Sequence, residues 1–192
     1  MTAKTPIAVL ISGRGSNLQC LIDACAAEDY PARIVAVISN RPDAYGLERA
    51  REAGIAAIAI DHKAYETRES FEAALDAALR EAGAEFVCLA GFMRILTEGF
   101  VNRWEGRMIN IHPSLLPKFK GVDTHKRAIE AGESEHGCTV HWVTPGMDEG
   151  PVIAQARVPV LPGDTPETLA ARVLVEEHLL YPEALKLALE KA

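Results

Sequence analysis

An asparagine and a histidine lie two positions apart at the end of an apolar run, and their chemistry suits acyl transfer. Met108-Ile109-Asn110-Ile111 predicts a strand that stops at Pro113, so Asn110 and His112 point to the same side. The amide and the imidazole can both stabilise a developing oxyanion, and the histidine can also take or donate a proton. A carboxylate nearby favours the charged imidazole, and Asp148, in a glycine-flanked polar loop, is the candidate. Taken singly, a structural histidine and a solvated aspartate are the alternatives.

A glycine-rich loop is the second candidate for ligand binding. Gly13-Arg14-Gly15-Ser16-Asn17 lies between an apolar run and a helical segment. Glycines allow close approach of the backbone, and a helix N-terminus presents free N–H groups to an anion. The third glycine position is Leu18 and no Gly-Lys-Ser/Thr follows, so neither the dinucleotide fingerprint nor the P-loop matches. The loop predicts a monophosphate site, and a tight turn capped by Ser16 or Asn17 is the alternative.

His136, Cys138 and His141 are close enough in sequence to be compared with a metal site. On a strand over Cys138–Val143, His136 and Cys138 share one face and His141 points the other way, which separates the ligands. The chain has no His-Glu-x-x-His and no framework of cysteine pairs. We therefore expect no catalytic metal.

Strand-like runs alternate with helical segments over much of the chain. The predicted parallel strands are Ile7–Ile11, Ile34–Ile38, Ala57–Ile60, Phe86–Ala90 and Met108–Ile111. The predicted helices among them are Leu18–Ala27, Leu47–Ala53 and a segment from Phe71 to Ala82. This alternation predicts an α/β fold with an open, mostly parallel, twisted sheet and helices on both faces.

The pattern changes after the fifth strand. Cys138–Val143 and Val152–Val158 are strand-like with no helix between them, so they are expected to pair antiparallel. Asp164-Thr165-Pro166-Glu167 predicts the start of a last helix. Ligands of such sheets bind beyond the carboxyl ends of the strands, which is where Asn110 and His112 are expected.

Length, composition and charge argue against a membrane-spanning, a secreted or a nucleic-acid-binding protein. The chain has 192 residues, which is typical of one domain. No apolar run approaches the roughly 18 residues that cross a bilayer, and no signal peptide is recognisable. A formal net charge of −7 argues against a nucleic-acid partner, and four cysteines without Cys-x-x-Cys pairs favour reduced thiols. We expect a cytoplasmic protein that acts on small molecules without nucleic acid or membrane, and a homodimer is left open.

Four stretches of the chain resemble the folate-dependent phosphoribosylglycinamide formyltransferase family. They are Leu10–Leu18, Leu89–Leu96, Asn110–Pro117 and Asp148–Pro151. The Asn-x-His-Pro-Ser-Leu-Leu-Pro stretch with a distant Asp-x-Gly-Pro marks formyltransferases in general, and the Ser-Gly-x-Gly-Ser-Asn loop narrows the choice to this family. The spacings also fit, so the resemblance implies one formyltransferase domain over residues 1–192 with a Rossmann-like sheet.

The resemblance implies a step of de novo purine biosynthesis. The amine of phosphoribosylglycinamide would attack the formyl carbon of the co-substrate 10-formyltetrahydrofolate and give a tetrahedral oxyanion. Asn110 and charged His112 would stabilise that oxyanion, and His112 would help to move the proton towards the leaving folate nitrogen. Asp148 would keep His112 charged and oriented.

The resemblance also implies two sets of binding residues. The ribosyl phosphate and the glycinamide would bind at Gly15, Ser16, Asn17, Leu18, Gln19 and Glu177. The folate would bind at Arg68, Met93, Arg94, Ile95, Leu96 and Asn110. From its sequence context alone, Glu177 is nearly as well explained as a solvated helix carboxylate.

Two departures from the family pattern lie in the loop after Pro117. Where the family often has Gly-Leu-His-Thr-His, this chain has Asp123 in place of the first histidine, and Lys120 precedes the glycine. These changes leave Asn110, His112 and Asp148 untouched but put the role of that loop and of His125 in doubt.

Three rival functions share some of these motifs. A formyltetrahydrofolate hydrolase would carry an extra regulatory domain, for which a chain starting at its first strand leaves no room. A methionyl-tRNA formyltransferase would need a further C-terminal domain and an RNA-binding surface. A phosphate- or folate-binding module without turnover would not need the His112–Asp148 pair.

Overall fold

A computed structural model describes residues 3–192 and shows a seven-stranded open sheet. The strands are β1 (Thr5–Ile11), β2 (Ala32–Ser39), β3 (Ala57–Ala59), β4 (Phe86–Leu89), β5 (Met108–His112), β6 (Glu135–Trp142) and β7 (Val152–Pro159). Their order in the sheet is β3-β2-β1-β4-β5-β6-β7. Strands β1 to β5 pair in parallel, whereas β6 runs antiparallel to both β5 and β7. The predicted mostly parallel sheet with an antiparallel pair at one end is confirmed.

Among residues 3–192, five α-helices connect successive strands and a sixth follows β7. They are α1 (Ser16–Cys25), α2 (Gly46–Glu52), α3 (Arg68–Glu81), α4 (Glu98–Arg103), α5 (Thr124–Glu130) and α6 (Pro166–Lys191). The predicted cap of α1 is wrong, because the residue that precedes the helix is Gly15, in the left-handed region at φ 75°. Within residues 3–192, no helix combines the length and the apolar content that a membrane crossing needs.

The first strand is buried on both faces, which explains its continuous apolar run. Ile7, Val9 and Ile11 pack with residues of α1, α2 and α6 on one face of the sheet. Ala8 and Leu10 pack with residues of α3 and α4 on the other. Burying a side chain of this size is worth about 1.5–3 kcal/mol, so both helical layers are held firmly on the sheet. The predicted helices on both faces are confirmed.

The strand order reverses between β1 and β4, which lie side by side although the chain visits β2 and β3 between them. Ser12, just after β1, ties together the loops at this edge. Its hydroxyl donates to Oδ1 of Asn40 at 2.5 Å and accepts from the backbone N–H of Met93 at 2.8 Å. A reversal of this kind opens a crevice at the carboxyl ends of the strands, the usual ligand position in such sheets.

Candidate active site

Strand β5 ends on His112, whose side chain is only 7% exposed. Its Nε2 lies 2.9 Å from the carbonyl oxygen of Phe119. Because a carbonyl can only accept, that nitrogen donates the hydrogen bond. Its Nδ1 faces Oδ2 of Asp148 at 3.5 Å. An acceptor oxygen therefore lies near each ring nitrogen, at hydrogen-bond distance for Nε2 and at ion-pair distance for Nδ1.

Asp148 lies in the loop between β6 and β7, and the fold brings its side chain to His112. Its backbone adopts φ 56°, in the left-handed region that residues other than glycine seldom occupy. Its Oδ2 accepts the backbone N–H of Gly121 at 2.9 Å. The carboxylate is therefore fixed both by its own loop and by the segment that follows β5, and it is only 10% exposed.

Asn110 reaches the same cluster through His141, a residue that sequence reasoning considered only as a metal ligand. The two lie directly opposite each other in the β5–β6 pair. Nδ2 of Asn110 is 3.3 Å from Nε2 of His141, which in turn lies 3.9 Å from Oδ1 of Asp148. Burial lowers the pKa of His141. Four polar side chains, those of Asn110, His112, His141 and Asp148, thus converge where β5 ends.

The glycine loop has the local structure that an anion site requires. The α1 helix has no acidic residue in its first turn, and no side chain caps its N-terminus. Gly15 allows α2 to pack closely, because a Cβ there would lie 2.8 Å from the Cα of Gly46. The first N–H groups of α1 are therefore not occupied by a cap, and the dipole at this end of the helix favours negative charge.

Glu177 joins this loop to α6. Nδ2 of Asn17 donates to Oε1 of Glu177 at 3.1 Å. Glu177 is only 8% exposed, and burial raises its pKa to about 7. Two buried polar atoms here, Oδ1 of Asn17 and Nε2 of His178, have no hydrogen-bond partner among the described residues. Buried polar atoms are nearly always bonded, so this is a place where a polar ligand would add partners. The solvated-carboxylate interpretation of Glu177 is wrong.

The segment after β4 exposes apolar side chains at the same edge of the sheet. Met93 is 71% exposed and Ile95 is 63% exposed. The neighbouring Thr97 donates its backbone N–H to Glu72 of α3 at 2.7 Å. Arg68 is exposed one helical turn before Glu72, on the same face of α3. The hydrogen bond therefore holds Thr97, the residue that follows the Met93–Leu96 segment, against α3, the helix that begins at Arg68.

The loop that departs from the family pattern leads into α5. Asp123 precedes the helix in the left-handed region, at φ 54°. Nδ1 of His125 lies 3.1 Å from Nε2 of His136, so these two histidines bond to each other. Over residues 3–192, no group of three or more histidine, cysteine, aspartate or glutamate side chains is arranged to hold a metal ion.

A model of the formyl transferase family matches residues 5–185. The chain belongs to the formyl transferase family. It is 51% identical to phosphoribosylglycinamide formyltransferase of Escherichia coli (strain K12), a match that covers 92% of this chain and 83% of that protein. It also resembles the crystal structure of phosphoribosylglycinamide formyltransferase from Brucella melitensis, with 52% identity, a TM-score of 0.92, and coverage of 95% of this chain and 94% of the other.

Other relatives of this formyl transferase are much longer proteins. The chain is 56% identical to the trifunctional purine biosynthetic protein adenosine-3 of Drosophila pseudoobscura pseudoobscura over 94% of its own length. That match covers 13% of the longer protein. The chain therefore corresponds to one part of the trifunctional relatives and to most of the bacterial ones.

Proposed function

We propose that this formyl transferase moves the formyl group of 10-formyltetrahydrofolate to the amine of phosphoribosylglycinamide, a step of de novo purine biosynthesis. The observation that carries the proposal is the contact between His112 and Asp148 at the end of β5. A site that only bound phosphate or folate would gain nothing from a buried imidazole held between two acceptors. The bacterial relatives named for this activity, at about half identity over most of the chain, support the choice of substrates.

The residues of the cluster divide the chemistry between them. When the amine nitrogen bonds to the formyl carbon, the carbonyl oxygen becomes an oxyanion, which Asn110 and charged His112 stabilise. Breaking the bond to the folate nitrogen then restores the carbonyl, while His112 helps to carry the amine proton to the leaving nitrogen. For Nε2 to reach substrate, the carbonyl of Phe119 must give way to the substrate oxygen, since the two compete for one N–H. Asp148 keeps the ring charged and fixes its orientation.

The substrates are assigned to the two loops that flank the strand-order reversal. The phosphate is assigned to the amides and side chains of Gly15–Gln19 at the N-terminus of α1. The glycinamide part is assigned to Glu177, which is linked to the phosphate loop through Asn17. The folate is assigned to Arg68 and the Met93–Leu96 segment, whose exposed apolar side chains suit a flat heterocycle. Since the described cysteines are all free thiols, as is usual in a reducing compartment, we place the reaction in the cytoplasm.

The test supplies the purified protein with phosphoribosylglycinamide and 10-formyltetrahydrofolate and follows both products by chromatography. We expect formylated glycinamide ribonucleotide and tetrahydrofolate in equal amounts, and no turnover when the ribonucleotide is left out. Formate release at the same rate without the ribonucleotide would refute the proposal and identify a formyltetrahydrofolate hydrolase. Binding of both ligands without turnover would identify a binding module.

A further inference from the structure

His141 is buried behind the candidate catalytic residues, and its hydrogen bonds define its proton position. Its Nδ1 lies 3.0 Å from the carbonyl oxygen of Trp142. Because that oxygen can only accept, Nδ1 carries a proton. In the neutral ring Nε2 is then bare, and it accepts a hydrogen bond from Nδ2 of Asn110, 3.3 Å away.

The protonation of His141 decides which end of the Asn110 amide faces it. Against a bare Nε2, the amide presents its NH2 group, and one N–H remains free for a second acceptor. Against a protonated Nε2, the amide must turn its oxygen to the ring. Its NH2 group then occupies the position that the oxygen held before, so the amide no longer offers an N–H in the direction of the second acceptor. The surroundings favour the neutral ring, since His141 is 3% exposed and burial lowers its pKa.

Two titratable side chains, Asp148 and His112, and one backbone carbonyl, that of Trp142, face His141. Asp148, on the loop after β6, places Oδ1 at 3.9 Å, which is too far for a hydrogen bond. His112 on β5 opposes a positive charge on His141, whereas Asp148 favours one. The Trp142 carbonyl, which accepts the Nδ1 proton, also raises the pKa of His141. Burial outweighs both the carbonyl and the carboxylate, so the ring keeps its acceptor towards Asn110.

We propose that His141 is a positioning residue for formyl transfer, whose neutral, Nδ1-protonated ring orients the Asn110 amide so that its free N–H serves the oxyanion. This role rests on the proposed function, because it acts through Asn110. It explains why a buried histidine lies opposite Asn110 although it has no hydrogen bond to Asp148. It also makes the donor at Asn110 depend on the protonation of a residue that does not touch the substrate.

The first test needs no activity. Long-range proton–nitrogen correlation spectra of the whole protein report which ring nitrogen of His141 carries the proton, and His141→Gln assigns the signals. We expect a neutral ring protonated on Nδ1 at pH 7.5. A ring protonated on Nε2, or on both nitrogens, would overturn the inference whether or not the protein transfers formyl groups.

The second test is kinetic and separates positioning from packing. His141→Leu removes the acceptor, and we expect kcat to fall about tenfold with each KM within about twofold, because the effect acts on the oxyanion. His141→Gln offers an amide oxygen in place of Nε2, and it should recover most of the loss. In an Asn110→Ala background, His141→Leu should have no further effect on kcat, since the residue it positions is gone.

The contrary outcomes are distinct. His141 would be only a packing residue if His141→Leu lowered kcat equally in the wild type and in the Asn110→Ala background. The same conclusion would follow if kcat of His141→Gln were no higher than that of His141→Leu. If His141→Leu fails to fold, His141→Gln is compared with the wild type. A kcat of His141→Gln more than tenfold below that of the wild type would overturn the proposal. Absence of formyl transfer by the wild type would refute the proposed function instead, and the proton position of His141 would stand on its own.

Discussion

Replacing Glu177 with glutamine should change how the stability of the protein depends on pH. The glutamine side chain keeps an oxygen that can accept the hydrogen bond from Nδ2 of Asn17. Unlike the carboxyl group, it cannot ionise. Glu177 is only 8% exposed, and burial raises its pKa from an ordinary value of 4.5 to about 7. The substitution therefore removes one buried ionisation and leaves the local hydrogen bond in place.

The sign and size of the effect follow from the two pKa values. The folded pKa lies above the unfolded one, so the group's stabilising contribution is complete below pH 4.5 and is lost as the pH rises through 7. At roughly 1.4 kcal/mol per pH unit, the loss amounts to about 3 kcal/mol. Little of it is screened, because the carboxylate is buried.

The assay compares the free energy of unfolding of the wild type and Glu177→Gln in urea at pH 4.5, 6 and 8. All other carboxylates titrate alike in both proteins, so the difference isolates Glu177. We expect the variant to gain about 3 kcal/mol relative to wild type between pH 4.5 and 8. The control is Glu190→Gln, on the exposed face of the same helix. Its free energy of unfolding should differ from that of the wild type by nearly the same amount at all three pH values. A flat difference for Glu177→Gln would refute the reasoning that burial controls this carboxylate.

The remaining predictions concern the aspartate and the glycine loop. Asp148→Asn should lower kcat roughly a hundredfold with little change in ligand affinity, because the charge facing His112 is lost. The neighbouring Glu149 is exposed, so kcat of Glu149→Gln should stay near that of the wild type. An equal loss of kcat in both variants would contradict the role assigned to Asp148. Gly15→Ala should cost about 1–3 kcal/mol in urea unfolding and weaken binding of the ribonucleotide in calorimetry, since its φ is +75° and a Cβ would lie 2.8 Å from Gly46. Gly13→Ala, with nothing within 4 Å of its Cβ, is the matched control, and an equal loss of stability there would count against a steric origin.

The centre of the sheet was predictable because strands such as β1 and β4 are buried on both faces. A continuous apolar run such as that of β1 is what such a strand requires, and the helices between the runs dictate parallel pairing. Helices α4 and α5 were not predicted, because six or seven residues are too few to show a helical period. The equally short α2 was located instead from Gly54, which follows its end. The start of α1 was misplaced because Gly15 ends the loop through its backbone conformation and no side-chain cap is needed.

The candidate site was predictable only for residues that lie on the same strand. Asn110 and His112 share a strand, so their common side follows from the strand period. His141 could not be placed, because the register of β6 against β5 depends on the connection between them and a shift of one residue reverses the face. The burial of Glu177 likewise depends on how α6 meets α1, which no local pattern encodes.

The single-turnover rate of His112→Ala with both substrates bound shows whether the imidazole takes part in formyl transfer. We expect a rate about a hundredfold to ten-thousandfold below wild type, with dissociation constants for phosphoribosylglycinamide and the folate within about threefold, because the binding loops are separate from the imidazole. A rate close to wild type, with both substrates bound, would remove His112 from the chemistry.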